Sequence, residues 1–400
     1  MIAQTSMVRT TSLLLVKLRA FYLATGLAGG LLNPYMSTIF VESGWNRNDV
    51  GIIMSISSFL IIFAQLMWGR IADRYRLTRT ILLLSLAVPA AVALLYPVAS
   101  MPVLVAAYFV VILFTSPQAP ISDAYAVAAA RAAGSSYGTI RSFQSVGNAL
   151  GGYLAGMLVA TYAPHTLVWP FFAFGCLGVA VVLAFPKETE VAFTGRSFLS
   201  GIGDLLRDMK VVLFLIACLL INQTLTAFNT YFVVVFQMSG GSYEQSGLAL
   251  MIAALSNVPS MFLASRVIGK LGMERTMMLA AAAYVLRWAI QYVLPIPSVM
   301  VGVQALQGLS FGLFYVAAVE YVGSLVSRDL QATGQSVFNV VFVGAAGIAG
   351  NLTNGFLLEA GGPAAMNLAC MVSAACGAML LLVIVKRSGT SSRTQSRLNA

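Results

Sequence analysis

Asp123 and Arg141 stand in stretches that are otherwise almost wholly apolar, and they are the residues here best suited to chemistry. A guanidinium beside a carboxylate can hold a hydroxylated ligand through several directed hydrogen bonds. The carboxylate can also take up and release a proton, and its affinity for that proton depends on its neighbours. Pairing offsets part of the cost of placing either charge in hydrocarbon. Around Arg141, the residues Tyr137, Gln144 or Ser145, and Asn148 recur at helical spacing and give one segment a single polar face. Lipid would penalise such a face, so a water-filled cavity is expected in front of it. A purely structural clamp between two neighbouring helices is the plainer reading of the same pair. Two further ionisable groups lie inside apolar segments, Arg287 and Glu320. Glu320 is read either as a proton carrier or as a packing or gating residue, because it falls off the helical stripe of Gln307 and Ser310.

Long apolar segments must position these groups. With 59% hydrophobic and 9% charged residues, a soluble fold would lack the polar groups to face water. Twelve segments of about 20 residues, the length a helix needs to cross the hydrocarbon core, are expected at roughly 17–41, 48–69, 77–97, 101–125, 137–161, 165–185, 210–238, 245–267, 275–294, 298–324, 331–358 and 364–386. The fold class predicted is therefore an all-α integral membrane protein, with twelve transmembrane helices in two pseudo-symmetric six-helix bundles. The predicted division is an N-terminal bundle over 1–185, a cytoplasmic linker over 186–209, a C-terminal bundle over 210–386 and a cytoplasmic tail over 387–400. Of 23 Lys and Arg, only Arg47 falls in a connection on the opposite side, and only Arg141 and Arg287 fall inside spans. The positive-inside rule then makes both termini cytoplasmic. The net charge of +10 reports topology in this reading, and nucleic acid is not an expected partner.

Several chemistries have no residues to carry them. The single histidine, His165, falls in a short outer connection, and Cys176, Cys218, Cys370 and Cys376 sit apart in apolar runs. No metal site, cofactor or disulfide is expected. No nucleophile–base set and no GxxxxGK[ST] loop are visible, so neither an enzyme nor an ATP-driven pump is predicted. The polar residues of the second half are mostly neutral: Asn222, Thr226 and Asn229, then Ser256 and Asn257, Gln304 and Gln307, Gln335 and Asn339. Each amide offers donors and acceptors, which suits a neutral polyhydroxyl or nucleoside-like solute, although glue between helices explains such residues individually. Tyr22, Thr25 and Asn33 form one stripe of the first span, and Asn33-Pro34-Tyr35 is expected to bend it. The run Gly151-Gly152-x-x-x-Gly156 permits close helix approach.

The turn Gly69-Arg70-Ile71-Ala72-Asp73-Arg74-Tyr75-Arg76-Leu77-Thr78-Arg79 has a shorter Gly-plus-basic counterpart at Gly269-Lys270-Leu271-Gly272-Met273-Glu274-Arg275. The first resembles the loop signature Gly-x-x-x-Asp-Arg-x-x-x-x-Arg/Lys of the major facilitator superfamily. It keeps Gly69, Asp73, Arg74 and Arg79 but has Arg76 where many members carry Gly-Arg. The resemblance implies a latch for the outward-facing state, with glycine allowing a tight turn. Anchoring of the loop alone is the alternative. Pro120-Ile121-Ser122-Asp123-Ala124-Tyr125, with Tyr137-Gly138-x-x-Arg141 and Ser145-Val146-Gly147, resembles the branch with lactose and oligosaccharide–proton symporters, nucleoside–proton symporters and phenylpropionate-type permeases. So do Leu309 to Phe314, Val319-Glu320-Tyr321 and Ala332 to Ser336. In lactose-type members the positions of Asp123 and Arg141 bind the sugar. This chain departs from them at Asn148, which replaces a stacking aromatic, and at Ala254, Gln307 and Ser310, which replace titratable residues.

The predicted function is a secondary active transporter working by alternating access. It is read as a proton-coupled importer of a small polar organic solute such as a sugar, oligosaccharide or nucleoside. The alternative is an efflux carrier or uniporter of a small organic solute or aromatic acid, and a non-transporting sensor on the same fold is a third reading. Substrate contacts are expected from Asp123, Arg141, Asn148, Gln144, Tyr22, Asn229, Asn257, Arg287 and Gln307. Asp123 and Glu320 are the candidates for proton coupling. The partners expected are the solute, protons and the lipid bilayer, for a monomer in the plasma membrane.

Overall fold

A computed structural model describes residues 2–75, 77–132, 137–185, 207–326 and 331–398. In chain order the helices are α1 (Ile2–Leu32), α2 (Met36–Glu42), α3 (Arg47–Tyr75), α4 (Thr78–Ala93), α5 (Met101–Thr115), α6 (Gln118–Ala132), α7 (Tyr137–Thr161) and α8 (Val168–Leu183). They continue as α9 (Met209–Met238), α10 (Tyr243–Leu271), α11 (Met273–Val293), α12 (Pro297–Val303), α13 (Leu313–Leu325), α14 (Gln331–Asn339) and α15 (Ala346–Leu398). Most of the predicted linker, residues 186–206, lies outside the described residues, as do residues 399 and 400 of the tail.

Helix is what the sequence demands in hydrocarbon, because only internal hydrogen bonds can satisfy the backbone there. Among the described residues, nine helical stretches are long and apolar enough to cross a membrane. Two long helices fall outside that group, α7 and α11, and these are the helices that carry Arg141 and Arg287. Their polar residues lower the apolar average, which makes them the long helices most expensive to place in hydrocarbon.

The breaks follow local chemistry. Asn33–Tyr35 forms a 3₁₀ turn between α1 and α2, where Pro34 supplies no N–H. α15 is interrupted at Gly362, whose φ of 66° only glycine adopts freely, with Pro363 directly after it. Asp208 caps α9 by accepting from the Lys210 N–H at 2.8 Å. Between α12 and α14 the backbone leaves regular α geometry at Gln304–Leu306 (3₁₀) and Gly308–Gly312 (π), and α14 runs into a further π segment, Val340–Ala345. One expectation needs correcting: Gly69 does not make a turn. α3 continues through it to Tyr75, and α4 begins at Thr78.

Contacts divide the chain into two compact units. One comprises Met1–Asn46, Ile56–Thr194 and Ser242–Ala254, and the other Arg47–Ser55, Gly195–Gly241 and Leu255–Ala400. In the first, α1 packs along α7 with glycine at the crossing: a Cβ on Gly147 would lie 2.8 Å from the Leu27 nitrogen, and one on Gly151 3.1 Å from the Leu31 nitrogen. A core of Leu18, Phe21, Ile81, Leu86, Tyr125 and Phe185 lies beside this crossing. In the second, α9 and α11 pack on α15, and Gly350 admits the Gln223 backbone.

Gly147→Leu is expected to force α1 and α7 apart and to destabilise the fold by about 1–3 kcal/mol, the usual cost of overpacking. Gly69→Ala, whose Cβ would meet nothing within 4 Å, is expected to leave stability unchanged or slightly raised. Thermal unfolding of the detergent-purified protein checks both, and equal midpoints for Gly147→Leu and wild type would refute the crossing.

Candidate functional site

Within the first unit, three helices converge on one carboxylate. Asp123 of α6 accepts a 2.6 Å hydrogen bond on Oδ1 from the Tyr22 hydroxyl of α1. Its Oδ2 pairs with Nη1 of Arg141 on α7. The same Nη1 donates to the Tyr137 hydroxyl oxygen at 3.0 Å. Pro117 separates α5 from α6 and so lets the chain re-aim just before Asp123. The close glycine crossing brings α1 near enough for Tyr22 to reach across 101 residues of sequence. Tyr22 is buried, but the side chains of Asp123 and Arg141 keep 29% and 40% exposure. That exposure leaves the pair open to a ligand. One helical turn apart along α7, Gln144 is half-buried and Asn148 exposed, the latter beside Gly29.

Within the second unit, Arg287 of α11 is wholly buried. Nε donates to Gln304 Oε1 at 3.1 Å, Nη2 bonds the same oxygen, and Nη1 bonds Gln307 Oε1. The guanidinium lies 4.3 Å from the centroid of the Phe228 ring of α9, a cation–π arrangement that partly replaces lost hydration. Gln304 is held in turn by donating to Met300 O at 2.8 Å. Gln304 and Gln307 sit in the irregular stretch between α12 and α13. Its 3₁₀ and π turns shift the side chains off the regular α stripe and aim both amide oxygens at one guanidinium. No carboxylate pairs with Arg287 among the described residues. The charge is met by amide dipoles and a ring rather than by a carboxylate.

The other predicted residues are not gathered into either cluster. Asn257 is half-buried, and its Oδ1 has no hydrogen-bond partner among the described residues. Asn229 and Asn339 are exposed. Asn222 donates to the Phe342 carbonyl, which belongs to the π segment. Glu320 is exposed on α13 and makes no ion pair among the described residues. Of the predicted latch, Gly69 lies inside α3 and Arg74 stacks 5.6 Å from the ring centroid of Tyr75. Arg79 donates to the carbonyls of Val182 (3.3 Å) and Leu183 (2.5 Å), closing the C-terminus of α8. The Asp73 side chain lies outside the described ones. Among the described residues no group of His, Cys, Asp and Glu is placed to hold a metal.

Two members of the Arg287 cluster escape sequence reasoning. Gln291 accepts from Gln304 Nε2 at 3.4 Å and was detectable as the residue one turn beyond Arg287. Phe228 had no local signal, because nothing in an apolar run marks which ring meets a cation. Gln304→Leu is expected to strip two acceptor contacts from a buried charge and to cost about 1–3 kcal/mol. An unfolding midpoint equal to wild type would show that Arg287 does not depend on Gln304.

Comparison with known proteins gives these clusters a setting. The model of the MFS_1 like family matches residues 15–369. An uncharacterised transporter of Bacillus subtilis (strain 168), YwbF, is 28% identical over 351 residues, covering 86% of this chain and 85% of its own. The maltose permease of Geobacillus stearothermophilus is 28% identical over 373 residues, covering 93% and 94%. Among solved structures, a mutant of the nucleoside transporter NupG superposes with a TM-score of 0.81 at 16% identity, covering 93% of this chain and 99% of that one. The last likeness is one of fold. A family model spanning most of the chain, on an all-helical fold with helices fit to cross a membrane, leads to one conclusion: this chain belongs to the MFS_1 like family and is a multi-pass membrane transporter of the major facilitator type.

Proposed function

We propose that the protein imports a small polar organic solute together with a proton, and that Asp123 is where the two meet. The observation that carries the reading is the half-exposed carboxylate bridging Tyr22 and Arg141. A solute rich in hydroxyls can compete for the donors of Arg141. As Arg141 turns to the solute, Asp123 loses its counter-charge and becomes free to take a proton, so binding and protonation are linked. Alternation between a site open to one side and a site open to the other then carries both across. Twelve spans in two six-helix bundles (1–185 and 210–386), both termini in the cytoplasm and a monomer in the plasma membrane complete the proposal.

The solute class proposed is a sugar, an oligosaccharide or a nucleoside. Its support is the amide-rich, mostly uncharged set that includes Gln144, Asn148, Asn229 and Asn257, together with a maltose permease and a nucleoside transporter among the similar proteins. Arg287 and Gln307 are proposed to hold the shape of the second unit rather than to reach solute, since neither is exposed. Arg79, with Gly69, Asp73 and Arg74, is proposed to set the position of the α3–α4 turn against α8. One observation favours uniport or efflux as a second reading: among the described residues no carboxylate pairs with Arg287, so Asp123 and Glu320 are the coupling groups proposed.

Reconstituted vesicles separate the readings. Uptake of a panel of sugars, nucleosides and aromatic acids, with and without an inward proton gradient, is expected to show gradient-driven accumulation of one class. Arg141→Ala is expected to lose it. Asp123→Asn is expected to abolish accumulation while leaving measurable downhill flux. Intact accumulation in Asp123→Asn would remove that carboxylate from the coupling step, and equilibration without accumulation in wild type would establish uniport.

A further inference from the structure

α1 carries a guanidinium that the charge count along the chain assigns to the cytoplasmic side. The apolar stretch that begins α1's crossing runs Leu14–Glu42, so Arg19 lies within it. Lys17, two residues earlier, is tied to the Ala184 carbonyl at 2.6 Å. Arg19 has no such tie. Its side chain is half-buried, its Nε is enclosed, and it makes no hydrogen bond or ion pair among the described residues. What it meets is the ring of Phe143 on α7, with the guanidinium carbon 5.8 Å from the centroid.

The α1–α7 crossing fixes the level of this charge. Gly26 lies against the backbone of Gln144, and Gly30 against that of Asn148. The two helices therefore run in the same direction in a constant register, each rising about 1.5 Å per residue. Followed back from Gly26, that register brings Arg19 to the level of Tyr137 to Arg141. Tyr22, one turn further along α1, is already bonded to Asp123.

Two guanidiniums thus attend one carboxylate, and Tyr22 and Tyr137 are neutral phenols. One positive charge is left without an acid among the described residues. In a membrane span an unbalanced charge is costly, and an aromatic face offsets only part of the cost. A carboxylate on the solute supplies the missing countercharge, and its planar shape fits a guanidinium fork. A phosphomonoester brings nearly two negative charges, which exceeds the surplus. Gln144 and Asn148, next along the polar face of α7, offer amides to hydroxyl groups.

We infer that Arg19 selects the charge of the solute, and that the solute is a hydroxylated monocarboxylate of the sugar-acid type. This rests on the import proposed through Asp123 and Arg141, and narrows it. One proton taken up with one monoanion moves no net charge across the membrane, whereas a proton with a neutral sugar moves one.

Vesicles holding the full-length protein are offered glucuronate, gluconate, glucose, uridine and phenylpropionate. A sugar acid is expected to accumulate under an inward proton gradient, but not under an inside-negative potential imposed at equal pH. Arg19→Gln is expected to cut the preference for the acid over glucose about tenfold, the scale of one charge-assisted hydrogen bond. Phe143→Leu, which removes the ring beneath the guanidinium, is expected to cut it by less. The wild-type charge readout and Phe143→Leu keep the test decisive where Arg19→Gln fails to fold. Preference of wild type for glucose, uridine or phenylpropionate overturns the inference, as does the absence of sugar-acid uptake. So does acid uptake driven by the potential, or an acid preference that survives Arg19→Gln. Arg19-dependent equilibration of a sugar acid without accumulation has the opposite meaning: coupled import through Asp123 fails and charge selection by Arg19 stands.

Discussion

In hydrocarbon a polar group without a partner costs far more than it does near water, and every polar feature of this protein's spans is shaped by that cost. The backbone answers it by being helical along most of the crossing stretches. The ionisable side chains answer it in two different ways. Asp123 and Arg141 neutralise each other and are held by two tyrosines. Arg287 has no acid beside it among the described residues and is satisfied by two glutamine oxygens and an aromatic ring. The first arrangement keeps part of its surface open. The second is sealed, and loss of one partner would strand a charge. Similar residue types thus sit in opposite surroundings: a partly exposed pair in one unit and a sealed cluster in the other.

The packing that brings the Asp123 cluster together is a matter of missing side chains. Tyr22 reaches Asp123 because α1 and α7 cross over Gly26, Gly147 and Gly151 with backbones in direct contact. Without a hydrophobic drive between helices in lipid, such close approach is a main source of association. In the second unit, irregular backbone does the corresponding job. The 3₁₀ and π turns between α12 and α13 bring Gln304 and Gln307 onto Arg287, which a regular helix would not do with that spacing.

Membrane residence, helical class and family were legible in the sequence, because each rests on properties that can be summed along the chain: apolar length, charge placement and a loop signature. The pairing of Asp123 with Arg141 was legible for the same reason. A charge in an apolar run is conspicuous, and two such charges on consecutive helices have few other partners. The loop signature was legible as a motif but not as a shape. Gly69 reads as a turn glycine, whereas the helix runs through it to Tyr75.

What only the tertiary structure decided is who meets whom. Tyr22 as the second partner of Asp123, Phe228 beneath Arg287, and Arg79 on the carbonyls ending α8 are contacts between helices distant in sequence. The cost of burying a group is a property of that residue and its neighbours in the chain, so one dimension suffices to see it. The partner that relieves the cost depends on helix crossing, rotation and local unwinding, and these exist only once the helices have packed.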